Sequence, residues 1–211
     1  MKTKVFNVIL SSIILTLISC AFGRQIPYEN MKVKVNYSGS KTISLSVWDQ
    51  REMVLDQSRQ PDFVGYTRSG VGIAYPMGTK SGKYFADVIQ QVISESLTSE
   101  NFQVINIPTS YSYSFDTIMN KFITTPTDLL IVLKINKLHT DYYAGTFFYY
   151  DVDLIAYDKA GNILVNQNHK KVSNIGGNSM GAGKYKEYSP KYLETEIQTW
   201  LNDTQIADII K

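Results

Sequence analysis

The residues with the clearest chemical potential lie in one stretch, DYYAGTFFYYDVD, at positions 141–153. Side chains alternate between the two faces of a β-strand. Phe147, Tyr149, Asp151 and Asp153 therefore share one side of a predicted strand, opposite a wholly apolar side. The two carboxyl groups stand about 7 Å apart by strand rise, a spacing that suits the acid and base of a glycosidase. Aromatic rings beside carboxylates also suit the binding of a partner protein or a glycan.

A structural interpretation of the same stretch competes with both. Asp151 or Asp153 can pair with Lys134 on a neighbouring strand, and the rings then serve to stabilise the sheet. The sequence shows no cleft around the two carboxylates. Cross-strand pairing is therefore the favoured interpretation, with a partner-binding face as the alternative and no catalytic role expected.

A second group of candidate binding residues surrounds the long connection at 50–80. Arginines and aromatic residues on such a segment, mixed with glycines, are typical of recognition surfaces. The alternative is a loop that folds over the helices and buries its own rings. The candidates are Trp48, Arg51, Phe63, Tyr66 and Arg68.

Other catalytic patterns fit poorly. GGNSMGAGK at 176–184 resembles a phosphate loop, but its spacing is one residue too long and Tyr185 replaces the Ser or Thr that binds magnesium. The only histidines, His139 and His169, lack the further ligands that a metal site needs. We therefore expect no catalytic residue, no metal and no dissociable cofactor.

The single cysteine, Cys20, ends an apolar run. Lys2 and Lys4 precede that run, which is signal-peptide length and too short to span a bilayer comfortably. Leu17-Ile18-Ser19-Cys20 resembles the bacterial lipobox. The resemblance implies cleavage before Cys20, a diacylglycerol on its sulfur and an acyl chain on its new amine. Acyl chains of this number anchor a protein stably to a membrane.

Charge limits the partners of the processed chain. Removal of residues 1–19 takes away Lys2 and Lys4, which leaves 19 cationic side chains against 19 acidic ones. The full chain carries a formal charge of +2. No basic field remains to attract nucleic acid, so none is expected as a partner.

The elements that must position these residues follow from periodicity. Alternation predicts strands at 42–49, 102–108, 128–138, 146–158 and 163–172, and a short one at 31–37. Helical spacing predicts helices at 81–101, 114–123 and from Ser189-Pro190 to the end, with a break near Asn202-Asp203. The order β-α-β-α-β-β-β-α indicates one α+β domain. Its mixed, mainly antiparallel sheet has helices mainly on one face.

Three sections of chain are expected: a signal peptide at 1–19, a lipidated cysteine with a tether at 20–40, and the domain at 41–211. The C-terminal half, together with Asp49-Gln50-Arg51 and Asp203-Thr204-Gln205-Ile206, resembles the YajG-type family of bacterial lipoproteins. The segment 61–89 departs from that family's short loop. The resemblance implies an outer-membrane lipoprotein and supplies no reaction.

These features predict a lipid-anchored envelope protein with a non-catalytic binding or scaffolding domain. Ala21 after Cys20 favours the periplasmic face of the outer membrane, with the inner membrane or cell surface as alternatives. The expected partner is an envelope protein or peptidoglycan. A periplasmic hydrolase of cell-wall glycan and an accessory subunit of an export or transport complex remain open as alternatives.

Overall fold

The computed structural model describes residues 25–108, 110–176 and 184–211. Its strands are β1 (Gln25–Ile26), β2 (Thr42–Asp49), β3 (Phe63–Arg68), β4 (Ala74–Thr79), β5 (Gln103–Asn106), β6 (Leu129–Tyr142), β7 (Thr146–Asp158) and β8 (Ile163–Asn174). Its α-helices are α1 (Glu52–Leu55), α2 (Phe85–Ser99), α3 (Phe115–Thr124), α4 (Tyr185–Leu201) and α5 (Thr204–Ile210). The predicted single-domain α+β fold is confirmed.

Strand β6 is the centre of the sheet. β7 pairs antiparallel along the length of one edge of β6, and β8 pairs antiparallel with β7. The other edge of β6 is shared between β2, parallel from Leu129 to Ile135, and β3, parallel around Thr140. β5 continues the sheet beyond β2, and β4 and then β1 continue it beyond β3. The sheet is therefore mixed and branched, with the β6-β7-β8 meander as its backbone.

The helices lie mainly on one face of this sheet, as predicted. The apolar side of β7 packs there against α4, where the rings of Tyr150 and Trp200 lie 5.3 Å apart. α2 and α5 complete the same core with the inward side chains of β2 and β6. On the opposite face α3 places Ile118 and Phe122 against Leu130 and Val132 at the start of β6. The rest of that second face is left for the site.

Residues 28–37 belong to the domain, so the predicted tether at 20–40 is wrong from Gln25 onward. Alternate side chains of this segment are buried, as a strand pattern predicts. The buried set is Met31, Val33, Val35 and Tyr37. The segment is nevertheless not a strand of the sheet.

Its backbone is hydrogen-bonded by helix α4 instead. The amides of Lys32, Lys34 and Asn36 donate to side-chain oxygens at 2.8, 3.3 and 2.7 Å. The acceptors are Glu194, Gln198 and Asn202, respectively. Residues four apart lie on one face of a helix. A row of polar side chains along α4 and at its end thus accepts the backbone hydrogen bonds of a segment that alternation predicts to lie in a sheet.

Two further predictions are corrected. The connection at 50–80 contains α1 and the β3–β4 hairpin, whose glycines and Pro76 hide the strand alternation. The last long helix begins at Tyr185 and continues through Pro190, so Ser189 is a buried helical residue and not its cap. The predicted break at Asn202-Asp203 is confirmed, and the Asp203 carboxylate accepts from the amide of Gln205 at 2.9 Å. Most of the Gly-rich stretch, 177–183, lies outside the described residues.

Candidate binding face

The candidate site is the part of the second sheet face that α3 leaves uncovered, here called the open face. Register places His139 opposite Tyr149 and Asp141 opposite Phe147 across the β6–β7 pair. Strand β3 adds its outward residues beside the end of β6. The open face consists of Tyr66, Arg68, Lys137, His139, Asp141, Phe147, Tyr149, Asp151, Lys170 and Val172.

Aromatic rings run across the open face from β3 to β7. The His139 and Tyr149 rings stack at 4.9 Å with an interplanar angle of 16°. Tyr66 meets the other side of His139 edge-on at 6.4 Å, and Phe63 meets Tyr66 at 4.9 Å. At the far side Phe147 keeps 38% of its surface exposed. The ring contacts hold the strip in a fixed arrangement.

His139 sits in the middle of this strip and is held neutral by its surroundings. Burial lowers its pKa to about 4, and the charges of Lys137 and Arg51 act in the same direction. Its buried Nδ1 has no hydrogen-bond partner among the described residues. At neutral pH the strip therefore contains an uncharged imidazole that is stacked on Tyr149 and met edge-on by Tyr66.

The carboxylate pair at the end of the strip is held by polar neighbours. The Asn168 amide donates to Asp151 at 3.0 Å and to Asp153 at 2.7 Å. Lys170 pairs with Asp151 at 2.6 Å, and its hydrogen bond is the main reason that the pKa of Asp151 is lowered. A general acid of a glycosidase needs a raised pKa. Asp151 is therefore suited to staying ionised and not to donating a proton.

Asp153 makes the cross-strand contacts that the structural interpretation expects. Asn136 donates to it at 2.9 Å, and the Lys134 ammonium lies 3.8 Å away. These bonds orient both carboxylates within the sheet surface. Asp151 and Asp153 therefore form a fixed polar border of the aromatic strip.

Arg68 forms the polar border at the other end. Its guanidinium donates to both oxygens of Asp141, at 2.8 and 2.5 Å. This two-bond geometry ties β3 to β6 and raises the pKa of Arg68. Beyond it, Val71 and Ile73 at the tip of the β3–β4 hairpin are 83% and 56% exposed.

Arg51 was predicted to contact a partner, and the structure places it in the interior with 1% of its surface exposed. Its guanidinium donates to both oxygens of Asp49, at 2.8 and 2.7 Å. It also donates to three backbone carbonyls, which are those of Pro61, Phe63 and Leu138. All five of its N–H groups are thereby satisfied. Arg51 fixes the start of β3 against β2 and β6, which excludes direct contact with a partner in this arrangement.

Two more candidates are placed away from the exposed surface. Phe63 is 2% exposed and supports Tyr66 from beneath. Trp48 is half-buried under α3, where its indole N–H donates to the carbonyl of Tyr113 at 3.0 Å. Of the predicted set, the open face brings together Tyr66, Arg68, Phe147, Tyr149 and Asp151, with Asp153 at its border. Cys20 lies outside the described residues.

Sequence reasoning missed His139, which belongs to the open face, and Arg59, which packs beside it against Tyr66. The outward position of His139 follows from alternation in β6, but its stacking on Tyr149 depends on the β6–β7 register, including a bulge between Ile135 and Lys137. Arg59 lies in the connection, with its guanidinium 5.3 Å from the centre of the Tyr66 ring. Neither position carries a local signal of its role.

Two features are absent from residues 25–108, 110–176 and 184–211. No group of three or more His, Cys, Asp or Glu side chains is placed to hold a metal ion there. No helix in the same ranges is long and apolar enough to cross a membrane.

Together these features define the class: a single-domain α+β protein with a branched mixed sheet, one face of which is covered only in part by the described helices. No known family model matches the sequence, and neither does any curated protein. The fold is similar to that of XCC0632 from Xanthomonas campestris, a DUF330 protein, with a TM-score of 0.57 at 7% identity. That match covers 85% of this chain and 94% of XCC0632.

Two weaker likenesses involve other bacterial proteins. PelC from Paraburkholderia phytofirmans, a dodecamer in its crystal, matches with a TM-score of 0.47 at 12% identity over 82% of this chain and 94% of PelC. Lipoprotein GNA1162 from Neisseria meningitidis matches with a TM-score of 0.30 at 9% identity over 76% of this chain and 99% of its own. At such identities the likeness to XCC0632 concerns the fold alone. Membership of the YajG-type family stays a prediction.

Proposed function

We propose that this chain is a lipid-anchored bacterial envelope protein, placed at the periplasmic face of the outer membrane. In this proposal its domain is not a catalyst and binds a partner through the open face. The observation that carries the binding role is the strip of stacked rings, bordered by ion pairs and covered by no described helix. The partner would be another envelope protein or peptidoglycan.

The order of groups across the open face supports binding. Rigid aromatic rings contribute contact area with little loss of conformational freedom, and charged groups at the border add specificity. Tyr149 and His139 are already fixed against each other, and Lys137 lies 5.1 Å over the Tyr149 ring. A surface ordered in advance loses less entropy when a partner docks.

The hydrolase alternative is supported less well. Its two carboxylates would be Asp151 and Asp153, which share one amide donor, Asn168. The lowered pKa of Asp151 opposes a role as proton donor. The residues around the pair form a sheet surface and not a cleft.

The anchor is tested on protein taken from its native membrane. Intact-mass analysis is expected to show that residues 1–19 are absent and that Cys20 carries a diacylglycerol and an amide-linked acyl chain. The Cys20→Ala variant should incorporate no fatty acid and should leave the membrane fraction. A bare sulfur on Cys20 in the wild-type protein overturns the anchor.

The open face is tested by crosslinking in cells. A photoreactive phenylalanine analogue at Phe147 should capture a specific envelope neighbour, while the same analogue at Ile123 should not. Ile123 is a matched control because it is 55% exposed and lies on α3. Equal capture from both positions, or none from Phe147, contradicts binding through this face.

A further inference from the structure

A cavity of about 340 Å³ opens beside the open face, between the start of β3 and strand β4. This volume is in the range of small-ligand sites. One wall is apolar and is made by Phe63, Pro76 and Met77. Two ionisable side chains, Arg59 and Asp62, complete it. Neither the open face nor the fold requires a cavity here.

The Asp62 carboxylate is a charged group without a described partner. A Cβ atom built at Gly78 would lie 2.5 Å from its Oδ2 atom. Gly78 therefore leaves the room that the carboxylate occupies. Backbone hydrogen bonding supports the same arrangement, because the Thr79 amide donates to the carbonyl of Asp62 at 3.0 Å.

Arg59 provides the cationic group of the cavity. Its Nε donates to the Tyr66 hydroxyl at 3.2 Å, and one terminal nitrogen donates to the carbonyl of Ser58 at 2.5 Å. The guanidinium lies 5.3 Å from the Tyr66 ring centre and 5.9 Å from that of Phe63. Its other terminal nitrogen, Nη2, has no acceptor among the described residues. A guanidinium with free donors is a binding group for phosphate or carboxylate oxygens.

The cavity also lies close to the proposed lipid attachment. Gln25 of β1 is the register partner of Gly78, which lines the cavity. Adjacent strands are roughly 5 Å apart. Five chain steps separate Cys20 from Gln25, which allows at most about 18 Å. If Cys20 is lipidated, the cavity is held within reach of the membrane surface.

We propose that this cavity binds the phosphoethanolamine headgroup of a membrane phospholipid. The Arg59 guanidinium would donate to phosphate oxygens, and the Asp62 carboxylate would accept from the ammonium group. Phe63, Pro76 and Met77 provide an apolar wall beside the glycerol end. The proximity to the membrane rests on the proposed anchor, whereas the headgroup chemistry rests on the cavity alone.

The test uses the processed chain from residue 20 with Cys20→Ala, exported behind a cleavable signal so that no acyl chain contributes. Vesicles of phosphatidylethanolamine mixed with phosphatidylcholine should bind this protein more tightly than phosphatidylcholine alone. Vesicles with phosphatidylglycerol, which lacks the ammonium, should bind as weakly as phosphatidylcholine. Equal binding to all three compositions overturns the headgroup assignment.

Variants assign the binding to the cavity. Arg59→Gln and Asp62→Asn should each weaken binding to the phosphatidylethanolamine vesicles by about tenfold, the loss expected for one charge-assisted hydrogen bond. Gly78→Ala should do the same by displacing Asp62. The matched controls Lys34→Gln and Asp208→Asn remove exposed charges elsewhere and should bind like the parent. Unchanged binding by the near-isosteric Asp62→Asn variant, shown to be folded by circular dichroism, contradicts the proposal.

Soluble ligands separate the possible sources of the headgroup. Free phosphoethanolamine should compete with the vesicles, while inorganic phosphate and ethanolamine alone should compete more weakly. If amino acids compete as well as phosphoethanolamine, the cavity is a site for free zwitterions and the lipid source is wrong. These readouts are independent of the proposed function, whose failure would appear as unlipidated Cys20 or unspecific crosslinking.

Discussion

At the scale of single residues, the strongest structural constraint is the buried pair of Arg51 and Asp49. Removing one partner of such a pair leaves an uncompensated charge and several unsatisfied carbonyls. Arg51→Lys keeps the charge, but a lysine ammonium has three N–H donors and cannot replace the five of arginine. We expect it to lower the free energy of unfolding by about 3–5 kcal/mol, measured by urea denaturation.

The control for this prediction is Arg68→Lys. Arg68 makes a similar two-bond contact with Asp141, but a third of its side chain is exposed. Solvent screens exposed ion pairs, so Arg68→Lys should lose much less unfolding free energy than Arg51→Lys. Similar losses of unfolding free energy for Arg51→Lys and Arg68→Lys would show that the burial of Arg51 does not determine its contribution to stability.

His139 makes stability depend on pH in the acid range. Its pKa is about 4 in the folded protein, against about 6.5 in an unfolded chain. The unfolded chain therefore binds the proton more readily. The contribution of neutral His139 to folding stability is complete above pH 6.5 and is lost as pH falls toward 4. Between pH 7 and pH 5 we expect the wild type to lose about 1–2 kcal/mol more than His139→Gln.

Urea denaturation of both proteins at the two pH values measures this difference. Because His169 is present in both, its own lowered pKa cancels from the comparison. An NMR titration of the His139 ring gives the folded pKa directly. A midpoint near 6.5 would contradict the burial of the ring between Tyr66 and Tyr149.

At the scale of elements, the open face depends on the junction of β3 with β6. Gly65 has φ +150° and faces Thr140, whose carbonyl oxygen would lie 2.2 Å from a Cβ at position 65. Gly65→Ala should force the strands apart and separate Tyr66 from His139. We expect a loss of about 2–4 kcal/mol in unfolding free energy together with weaker crosslinking from Phe147.

Gly70→Ala is the matched control for this junction. Gly70 lies in the hairpin turn that follows β3, and a Cβ there meets no atom within 4 Å. The variant should unfold like the wild type. If Gly65→Ala also did so, the close contact between β3 and β6 would not hold the open face together.

The sequence predicted the elements that are defined by the spacing of their own apolar side chains. Strands β2 and β7 and the amphipathic helices α2 and α3 follow directly from the spacing of apolar residues. The β3–β4 hairpin did not, because Gly65 and Pro76 interrupt the alternation. The other partners of these two strands, β6 and β1, are distant in sequence. Residues 28–37 show alternation but bond to α4, and no local rule distinguishes a helix from a strand as the partner.

The residues of the open face also divide into those that the pattern of one strand predicts and those that depend on strand pairing. Alternation in one strand placed Phe147, Tyr149 and Asp151 on a common side. The neighbours that complete the face, His139 and Tyr66, required the register of β6 with two other strands. Arg51 was assigned to a binding surface because arginine and aromatic residues together on a loop are typical of recognition surfaces. Five acceptors brought together by the fold reversed that expectation.

At the scale of the whole molecule, the structure places residues 25–37 within the domain. Tyr28, Met31 and Val35 are within the main core, and β1 completes the sheet beside β4. A chain that starts at Gln25 should therefore retain cooperative thermal unfolding. A chain that starts at Lys41, the boundary that the sequence predicted, should lose it, because it uncovers α2 and α4 and leaves the polar row on α4 without its backbone partners.

Differential scanning calorimetry and limited proteolysis of the two truncated chains measure this difference. As the control, a Gly/Ser insertion between Arg24 and Gln25 should leave the unfolding temperature unchanged, whereas the same insertion between Lys34 and Val35 should lower it. The insertion after Lys34 breaks the two-residue spacing of the Lys32, Lys34 and Asn36 amides, which matches the four-residue spacing of Glu194, Gln198 and Asn202. If the chain from Lys41 unfolded cooperatively at the wild-type temperature, residues 25–40 would be a tether after all, and the short distance between the cavity and the membrane would no longer follow.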